Sequence, residues 1–200
     1  MAKKILIVLG APGSGKSTQA DLICKEFNYE HVIESDLLKQ EILKKTPLSK
    51  KIAKIMNEGK LVPYEITCDI LFKKIKKSKK NKIVIDGFPR EINQAIVFDY
   101  FVFSENIDFL GIVYLSLSKE SSVKRLLLRK RKDDTKKIIQ KRLEIYYKET
   151  KPVIERYKKQ KKLIEIDGEP SIEEIFKNVK NKLKNKSLKE KILWSQIKEY

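Results

Sequence analysis

The residue types best suited to phosphate chemistry stand near the start of the chain, in the run Gly10-Ala-Pro-Gly-Ser-Gly-Lys-Ser-Thr18. Residues 5–9 before it are apolar and residues 19–27 after it show a helical pattern, which predicts a buried strand, a loop and a helix. Glycines let successive backbone N–H groups surround a phosphate, and the helix start adds the positive end of its dipole. Lys16 would reach the β- and γ-phosphates, and the Ser17 hydroxyl would bind Mg²⁺. The pattern therefore predicts nucleoside triphosphate binding, and the alternative is a plain glycine turn.

The arginines are a second set of candidate phosphate ligands. The chain uses lysine at most of its basic positions, yet five of its six arginines fall within residues 86–90 and 125–142. The planar guanidinium binds phosphate through two parallel hydrogen bonds, which an ammonium cannot do. We infer that these positions require arginine; the alternative is chance clustering on a basic helix face.

Composition narrows the class of protein. The net charge is +18 over 200 residues, but the lysines are spread along the chain, which favours a solvated surface with weak, salt-sensitive adhesion to polyanions over a dedicated nucleic-acid site. No apolar run approaches the ~20 residues that a membrane span needs, and residues 1–4 lead directly into the first strand, so no signal peptide is expected.

Cys24 and Cys68 are isolated, which favours a reducing cytoplasm and argues against structural zinc. His31 is the only histidine, so no His-based metal cluster or triad is expected.

Apolar strands alternate with helical patterns along the chain. Strands are predicted at residues 3–9, 83–85, 109–117 and 163–167, residues 31–36 are interpreted as a short connector, and the sheet as a whole is expected to have five strands. Continuously apolar strands indicate a parallel sheet covered by helices on both faces. Ligands bind such sheets at the carboxyl ends of the strands, where the phosphate loop and Asp86 both lie.

The helices show recognisable start and stop signals. Gly59 is expected to end a helix over about 49–58, Pro63 to begin the next, and Pro152 to start a further short helix. Ser171 and Glu174 form a capping-box pattern. The single domain predicted over 1–200 has a core at 1–34, 65–128 and 135–184, a small helical insert at about 35–64, and a minimal loop at about 129–134. A helical extension at 187–200 is expected to pack on the core.

These residues together resemble the adenylate kinases among the nucleoside monophosphate kinases, from about residue 3 to residue 184. The phosphate loop continues into Thr18-Gln-Ala20 as in that family, and Gly59-Lys-Leu-Val-Pro63 resembles the segment that packs on the acceptor base. Asp86-Gly-Phe-Pro-Arg90 with Gln94 is the most specific signal, because many NTPases share the phosphate loop alone. The resemblance implies the P-loop NTPase fold, with the insert binding the monophosphate and the loop acting as a lid.

The resemblance also implies residue roles. Donor ATP would be bound by Gly13, Ser14, Gly15, Lys16, Ser17, Thr18, Arg125, Arg129 and Pro170. Acceptor AMP would be bound by Glu34, Lys39, Lys60, Leu61, Val62, Gly87, Phe88, Pro89, Arg90, Gln94, Arg131 and Arg142. The catalytic cations would be Lys16, Arg90, Arg125, Arg129, Arg131 and Arg142, with Asp133 and Asp134 orienting the arginines and Mg²⁺ bound by Ser17 and, through water, by Asp86.

Three departures from the family pattern concern the acceptor and the lid. Glu34 replaces a threonine, and its carboxylate would either repel a phosphate or accept a hydrogen bond from a base amino group. Lys39 replaces an arginine and keeps the charge without the planar fork, which predicts weaker acceptor binding. Only residues 130–132 separate Arg129 from Asp133, so the lid would be very short, and it has no cysteines for zinc.

The implied reaction is transfer from Mg-ATP to AMP, giving two ADP, by a monomer without a membrane or a specific nucleic-acid partner. Three alternatives remain open from the sequence. The same fold could phosphorylate CMP, UMP or GMP, an alternative that Glu34 and Lys39 leave open and that Gln94 argues against. A basic P-loop ATPase acting on nucleic acid and a non-catalytic nucleotide-binding relative rank lower.

Overall fold

A computed structural model gives the fold of the protein and describes residues 2–129 and 135–197, with side chains through residue 185. The strands are β1 Lys4–Gly10, β2 Glu30–Ile33, β3 Lys82–Asp86, β4 Asp108–Ser116 and β5 Leu163–Asp167. The described helices are α1 Lys16–Phe27, α2 Glu34–Ile42, α3 Pro47–Asn57, α4 Tyr64–Lys77, α5 Ile92–Ser104, α6 Lys119–Arg129, α7 Lys136–Ile145, α8 Lys151–Lys159 and α9 Ile172–Ile197.

The five strands form one parallel sheet in the order β2-β3-β1-β4-β5. Side chains alternate between its faces, so Ile5 and Ile7 of β1 pack with α4, α5 and α8 while Leu6 and Val8 pack with α1 and α9. Both faces are therefore covered, as the uniformly apolar strands predict. The predicted fold class is confirmed.

The central position of β1 places the phosphate loop in the middle of the sheet edge. Val8 of β1 is in register with Asp86 of β3, and Gly10 of β1 is in register with Leu115 of β4. The carboxyl ends of three neighbouring strands consequently meet beside the loop. Residues that follow these strands can reach one common site.

One local prediction was wrong. Residues 30–33 form edge strand β2 rather than part of a connector, and α2 begins directly at Glu34. Four residues paired on one side only are too short to give a clear alternating pattern. Pro152 lies in the first turn of the short helix α8, as predicted, and a π-helical turn at Tyr146–Thr150 joins α7 to α8. The N–H of Lys151 donates to the carbonyl of Tyr146 five residues earlier, which is the π-helical pattern, and the next residue, Pro152, has no N–H to donate.

The predicted helix ends are confirmed where their caps are visible. Gly59 has a φ of +68° and its N–H donates to the carbonyl of Met56 at 3.0 Å, which closes the end of α3. Ser171 and Glu174 exchange reciprocal hydrogen bonds of 3.2 Å at the start of α9. No helix in the described chain is long and apolar enough to cross a membrane.

Candidate active site

The phosphate loop lies between the end of β1 and the start of α1. Gly13 and Gly15 have φ values of +85° and +80°, which side chains rarely adopt. A Cβ at Gly13 would lie 2.9 Å from the carbonyl oxygen of Ser122 in α6. Gly13 is therefore needed both for its backbone conformation and for the close approach of α6.

Helix α6 is fixed to the phosphate loop by a buried hydroxyl. Ser122 is fully buried, and its Oγ donates a hydrogen bond to the carbonyl oxygen of Pro12. This contact was not predicted from the sequence. The available signal is weak: Ser122 lies one helical turn before the buried Leu126, so the helical period places a small hydroxyl on the inner face.

Lys16 is the first residue of α1 and lies in a strongly cationic setting. The pKa of Lys16 is lowered to about 8, chiefly by burial; the charge of Asp86 raises it, and the charges of Arg90, Arg129 and Arg142 lower it. Three arginines from separate parts of the sequence thus act on one ammonium group. An anion placed here would relieve their mutual repulsion and raise the pKa of Lys16.

Asp86 ends β3 as a buried carboxylate that is 2% exposed. Neither of its oxygens has a hydrogen-bond partner among the described residues, and Nε2 of His31 lies 3.6 Å from Oδ2. Burial raises the pKa of Asp86, but His31, Lys16 and Ser17 together lower it below its ordinary value. The carboxylate is therefore charged at neutral pH and able to accept hydrogen bonds.

This pair of side chains fits a magnesium ion held partly through water. Mg²⁺ prefers carboxylate and hydroxyl oxygens and keeps several of its waters, and Asp86 offers two unpaired acceptor oxygens beside Ser17. No group of three or more His, Cys, Asp and Glu side chains able to hold a metal occurs in the described chain. Any metal site built from these two residues would depend on water and phosphate for its other ligands.

Arg90 is held in place by several contacts after β3. Its Nε donates to the carbonyl oxygen of Gly87, and its Nη2 lies 2.6 Å from Oε2 of Glu34. Its backbone N–H donates to Oε1 of Gln94 at 2.8 Å, and its carbonyl accepts from Oγ1 of Thr150, also at 2.8 Å. Arg90 is thus fixed at its backbone and at one edge of the guanidinium.

The insert presents charged side chains that pair with near neighbours. Nζ of Lys39 lies 2.9 Å from Oδ1 of Asp36, and Nζ of Lys60 lies 2.6 Å from Oε2 of Glu58. Both pairs are largely exposed, so they contribute little and can rearrange around a ligand. Val62 packs in the small core of the insert with Leu38 and Ile52.

One cleft of about 640 Å³ lies between the phosphate loop, the insert and helices α6 and α7. Its volume falls within the range of ligand pockets. Among the residues predicted from the sequence, it is lined by Gly13, Lys16, Ser17, Glu34, Lys39, Lys60, Leu61, Val62, Asp86, Gly87, Arg90, Arg129 and Arg142. The structure therefore brings the phosphate loop, three arginines and most of the predicted acceptor residues into one site.

Other predicted residues do not line this cleft in the described chain: Ser14, Gly15, Thr18, Phe88, Pro89, Gln94, Arg125 and Pro170. Phe88 is fully buried and packs in the core against Phe72 and Phe98. Arg125 binds the carbonyl oxygens of Gly168 and Glu169, in the turn that leads to Pro170. Arg131, Asp133 and Asp134 lie outside the described residues.

A phosphate loop at the centre of a parallel sheet, facing converging arginines and a separate helical insert, defines a P-loop kinase of the nucleoside monophosphate type. The adenylate kinase family model matches residues 8–162. The chain belongs to the adenylate kinase family.

Individual relatives agree with this placement. An adenylate kinase of Prochlorococcus marinus (strain MIT 9211) is 35% identical over 181 residues, covering 90% of this chain and 97% of the relative. Adenylate kinase 1 of Schistosoma mansoni is 36% identical over 192 residues, covering 93% and 95%. UMP-CMP kinase 1 of Oryza sativa subsp. japonica is 36% identical over 178 residues, covering 88% of this chain and 72% of the relative.

Proposed function

We propose that this protein reversibly transfers the γ-phosphoryl group of Mg-ATP to AMP, giving two molecules of ADP. The observation that carries the proposal is the convergence of Lys16, Arg90, Arg129 and Arg142 on one cleft. A simple ATPase needs one phosphate site, whereas this cleft continues from the phosphate loop to the helical insert. Cations on both sides fit two phosphate-bearing ligands bound end to end.

The donor would bind at the phosphate loop. Backbone N–H groups of residues 13–18 would surround its β-phosphate, and Lys16 would contact the β- and γ-phosphates. Arg125 would border the base, because it binds the turn at residues 168–169. Ser17 and Asp86 would hold Mg²⁺, which supplies positive charge to the phosphates when it is bound.

The acceptor would bind between the insert and the loop after β3. Arg90 and Lys39 would bind its phosphate, residues 60–62 would pack against its base, and Gln94 would bind the adenine edge. The hydrogen bonds that hold the carbonyl and the guanidinium of Arg90 support this role, because they fix a phosphate-binding side chain before the acceptor arrives.

The chemical step requires charge compensation and alignment more than proton transfer. The bond between the γ-phosphorus and the bridging oxygen of ATP breaks as an oxygen of the AMP phosphate forms the new bond. That oxygen is already anionic, so no general base is needed. Lys16, Arg129 and Arg142 would compensate the charge that develops between donor and acceptor. Closure of the insert and of the loop near residues 129–134 would exclude water.

A different nucleoside monophosphate, namely CMP, UMP or GMP, is the second candidate acceptor. Glu34 and Lys39 line the acceptor side of the cleft, and one similar protein is named a UMP-CMP kinase. Gln94 favours adenine, because its amide can both donate and accept a hydrogen bond at the base edge.

The test is to measure ADP formation from Mg-ATP with AMP, CMP, UMP and GMP in turn. The proposal expects AMP to give the highest kcat/KM, with little ATP hydrolysis when no monophosphate is present. A higher kcat/KM with CMP or UMP would reassign the acceptor. Hydrolysis that needs nucleic acid and no monophosphate would instead support a nucleic-acid-dependent ATPase. Four features stay predictions: the binding of Mg²⁺, the monomeric state, the cytoplasmic location, and the division into core, insert and lid.

A further inference from the structure

Glu34 is a buried carboxylate at the first position of α2. Its side chain is 7% exposed, and its Oε2 lies 2.6 Å from Nη2 of Arg90, whose side chain is 33% exposed. Both residues line the cleft. A buried anion is therefore already paired with the arginine that, under the proposed function, binds the acceptor phosphate.

The position of Arg90 does not depend on this pairing. Its Nε is bound by the carbonyl oxygen of Gly87, and its backbone is fixed by Gln94 and Thr150. A Cβ at Gly87 would lie 2.9 Å from Nη2, so the guanidinium also packs closely on the backbone. These contacts fix the side chain on their own, which leaves the negative charge of Glu34 as its distinctive contribution.

That charge opposes phosphate binding in two ways. It neutralises the guanidinium at short range, and it occupies Nη2, one of the donors that a phosphate would use. Burial raises the pKa of Glu34 above its ordinary value; Arg90 and Lys16 lower it, and Asp86, a second negative charge nearby, raises it. A doubly charged phosphate must therefore displace the carboxylate or share Arg90 with it, and both cost free energy.

We propose that Glu34 is a resident counter-ion of Arg90 that competes with the acceptor phosphate and weakens acceptor binding in this protein. The proposal rests on the proposed function, in which Arg90 holds that phosphate. The effect is on binding of the acceptor and not on the transfer step.

The experiment compares Glu34→Gln with the wild type by calorimetric titration with AMP and with adenosine, in the absence of ATP. Glutamine keeps the shape and a hydrogen-bond acceptor but removes the charge. We expect AMP to bind about fivefold more tightly or better, since one nearby charge is lost, and adenosine binding to stay unchanged because adenosine has no phosphate. Glu34→Thr, which also removes the charge, should tighten AMP binding in the same direction.

The matched control is Glu41→Gln, which removes a charge from the same helix, where Glu41 pairs with Lys44. It should leave AMP binding unchanged. Weaker or unaltered AMP binding in both Glu34 variants overturns the proposal. Equal tightening for AMP and adenosine also overturns it, because Glu34 would then act on the base.

Steady-state rates separate this inference from the proposed function. Under the inference, Glu34→Gln lowers the KM for AMP and changes kcat by less than about twofold. Wild type that forms no ADP from ATP and AMP contradicts the proposed function, whatever the variants bind. Wild type that forms ADP, with a Glu34→Gln variant whose KM does not fall, contradicts the inference alone.

Discussion

Nη1 of Arg125 donates a hydrogen bond of 2.8 Å to the carbonyl oxygen of Gly168, which lies 43 residues further along the chain. Nη2 donates to the neighbouring carbonyl of Glu169 at 2.9 Å. Hydrogen bonds from Ser121 and Ser118 lower the pKa of Glu169 to about 2, so this exposed carboxylate is charged and binds the start of α6. Arg125 and Glu169 together connect α6 to the turn after β5.

Replacing Arg125 by lysine should weaken ATP binding. An ammonium cannot reach both carbonyls in one plane, so the turn that would border the adenine loses its support. We expect the KM for ATP to rise about tenfold, corresponding to about 1.4 kcal/mol, and the KM for AMP to stay unchanged. Initial rates with each nucleotide varied in turn measure both constants.

The matched control for this change is Arg156→Lys. Arg156 lies on α8 and its Nη2 binds Oδ2 of Asp99 at 2.7 Å, so it makes a similar contact outside the cleft. Its replacement should leave the KM for ATP unaltered even if it lowers stability. An unchanged KM for ATP in Arg125→Lys would count against a role for Arg125 at the base.

Gly13 and Gly15 offer a matched pair for testing how α6 packs on the phosphate loop. Both have positive φ, but an added Cβ at Gly13 meets the Ser122 carbonyl at 2.9 Å, whereas no atom of the described residues lies within 4 Å of one at Gly15. Gly15→Ala should cost only the backbone strain of roughly 1–2 kcal/mol. Gly13→Ala adds a clash with backbone and should cost clearly more.

Thermal unfolding without nucleotide measures this difference and avoids effects on catalysis. The midpoint of Gly13→Ala should lie several degrees below that of Gly15→Ala, since about 1 kcal/mol shifts a domain of this size by roughly 2–4 °C. Ser122→Ala, which removes only the hydrogen bond to Pro12, should fall close to Gly15→Ala. Equal midpoints for the two glycine variants would show that α6 can move away from the loop without loss.

Gln94 tests how the base is selected. It is 1% exposed, and its Oε1 accepts the N–H of Arg90. Gln94→Glu keeps an oxygen for that N–H but has no amide to donate to a base. We expect the ratio of kcat/KM for AMP to that for CMP to fall about tenfold, the cost of one lost specific hydrogen bond.

Using a ratio removes effects on the phosphate, because both acceptors carry the same group. Gln94→Leu should reduce the ratio similarly and also lower the thermal midpoint, because it leaves the Arg90 N–H without its acceptor. A ratio that stays constant in Gln94→Glu would limit Gln94 to supporting the loop.

The sequence predicts the parts of this molecule that depend on local pattern. The phosphate loop follows from residue types at fixed spacing, and the parallel sheet follows from its continuously apolar strands. The rarity of arginine in a lysine-rich chain indicates that positions 90, 129 and 142 require it, the family resemblance implies a shared site for them, and the structure places all three on one cleft. Their roles toward nucleotides stay predictions.

What the sequence does not predict are contacts between distant residues. The sequence shows that Glu34 is unusual, but not that its carboxylate meets Arg90, because the pair lies 56 positions apart in the chain and depends on the pairing of β2 with β3. The hydroxyl contact of Ser122 with Pro12 and the approach of His31 to Asp86 likewise arise only from tertiary packing. Strand β2 is missed for a related reason, since its stability comes from its neighbour.

Cys24 and Cys68 should be unreactive in the folded protein. Both are buried free thiols, and burial raises the pKa of each from 9.0 to about 12, with smaller contributions from nearby carboxylates such as Asp21 and Glu91. Only the thiolate is nucleophilic, and almost none is present at pH 8. An aromatic disulfide reagent at pH 8 should therefore label native protein slowly and label two thiols per chain at once in denaturant.

The same shift predicts how alkaline pH changes stability. The pKa of each thiol is higher in the folded chain than in the unfolded chain. Between pH 9 and pH 12 the unfolded chain therefore releases protons that the folded chain retains. The contribution of the thiols to stability is fully present below pH 9 and is lost as the pH rises towards 12. The free energy of unfolding, measured with urea at pH 8 and pH 10.5, should therefore fall more for the wild type than for a Cys24→Ala, Cys68→Ala variant. The other ionisable groups are shared, so they cancel in this comparison. Parallel declines in the two proteins, or rapid labelling of either native thiol at pH 8, would contradict the burial of these side chains.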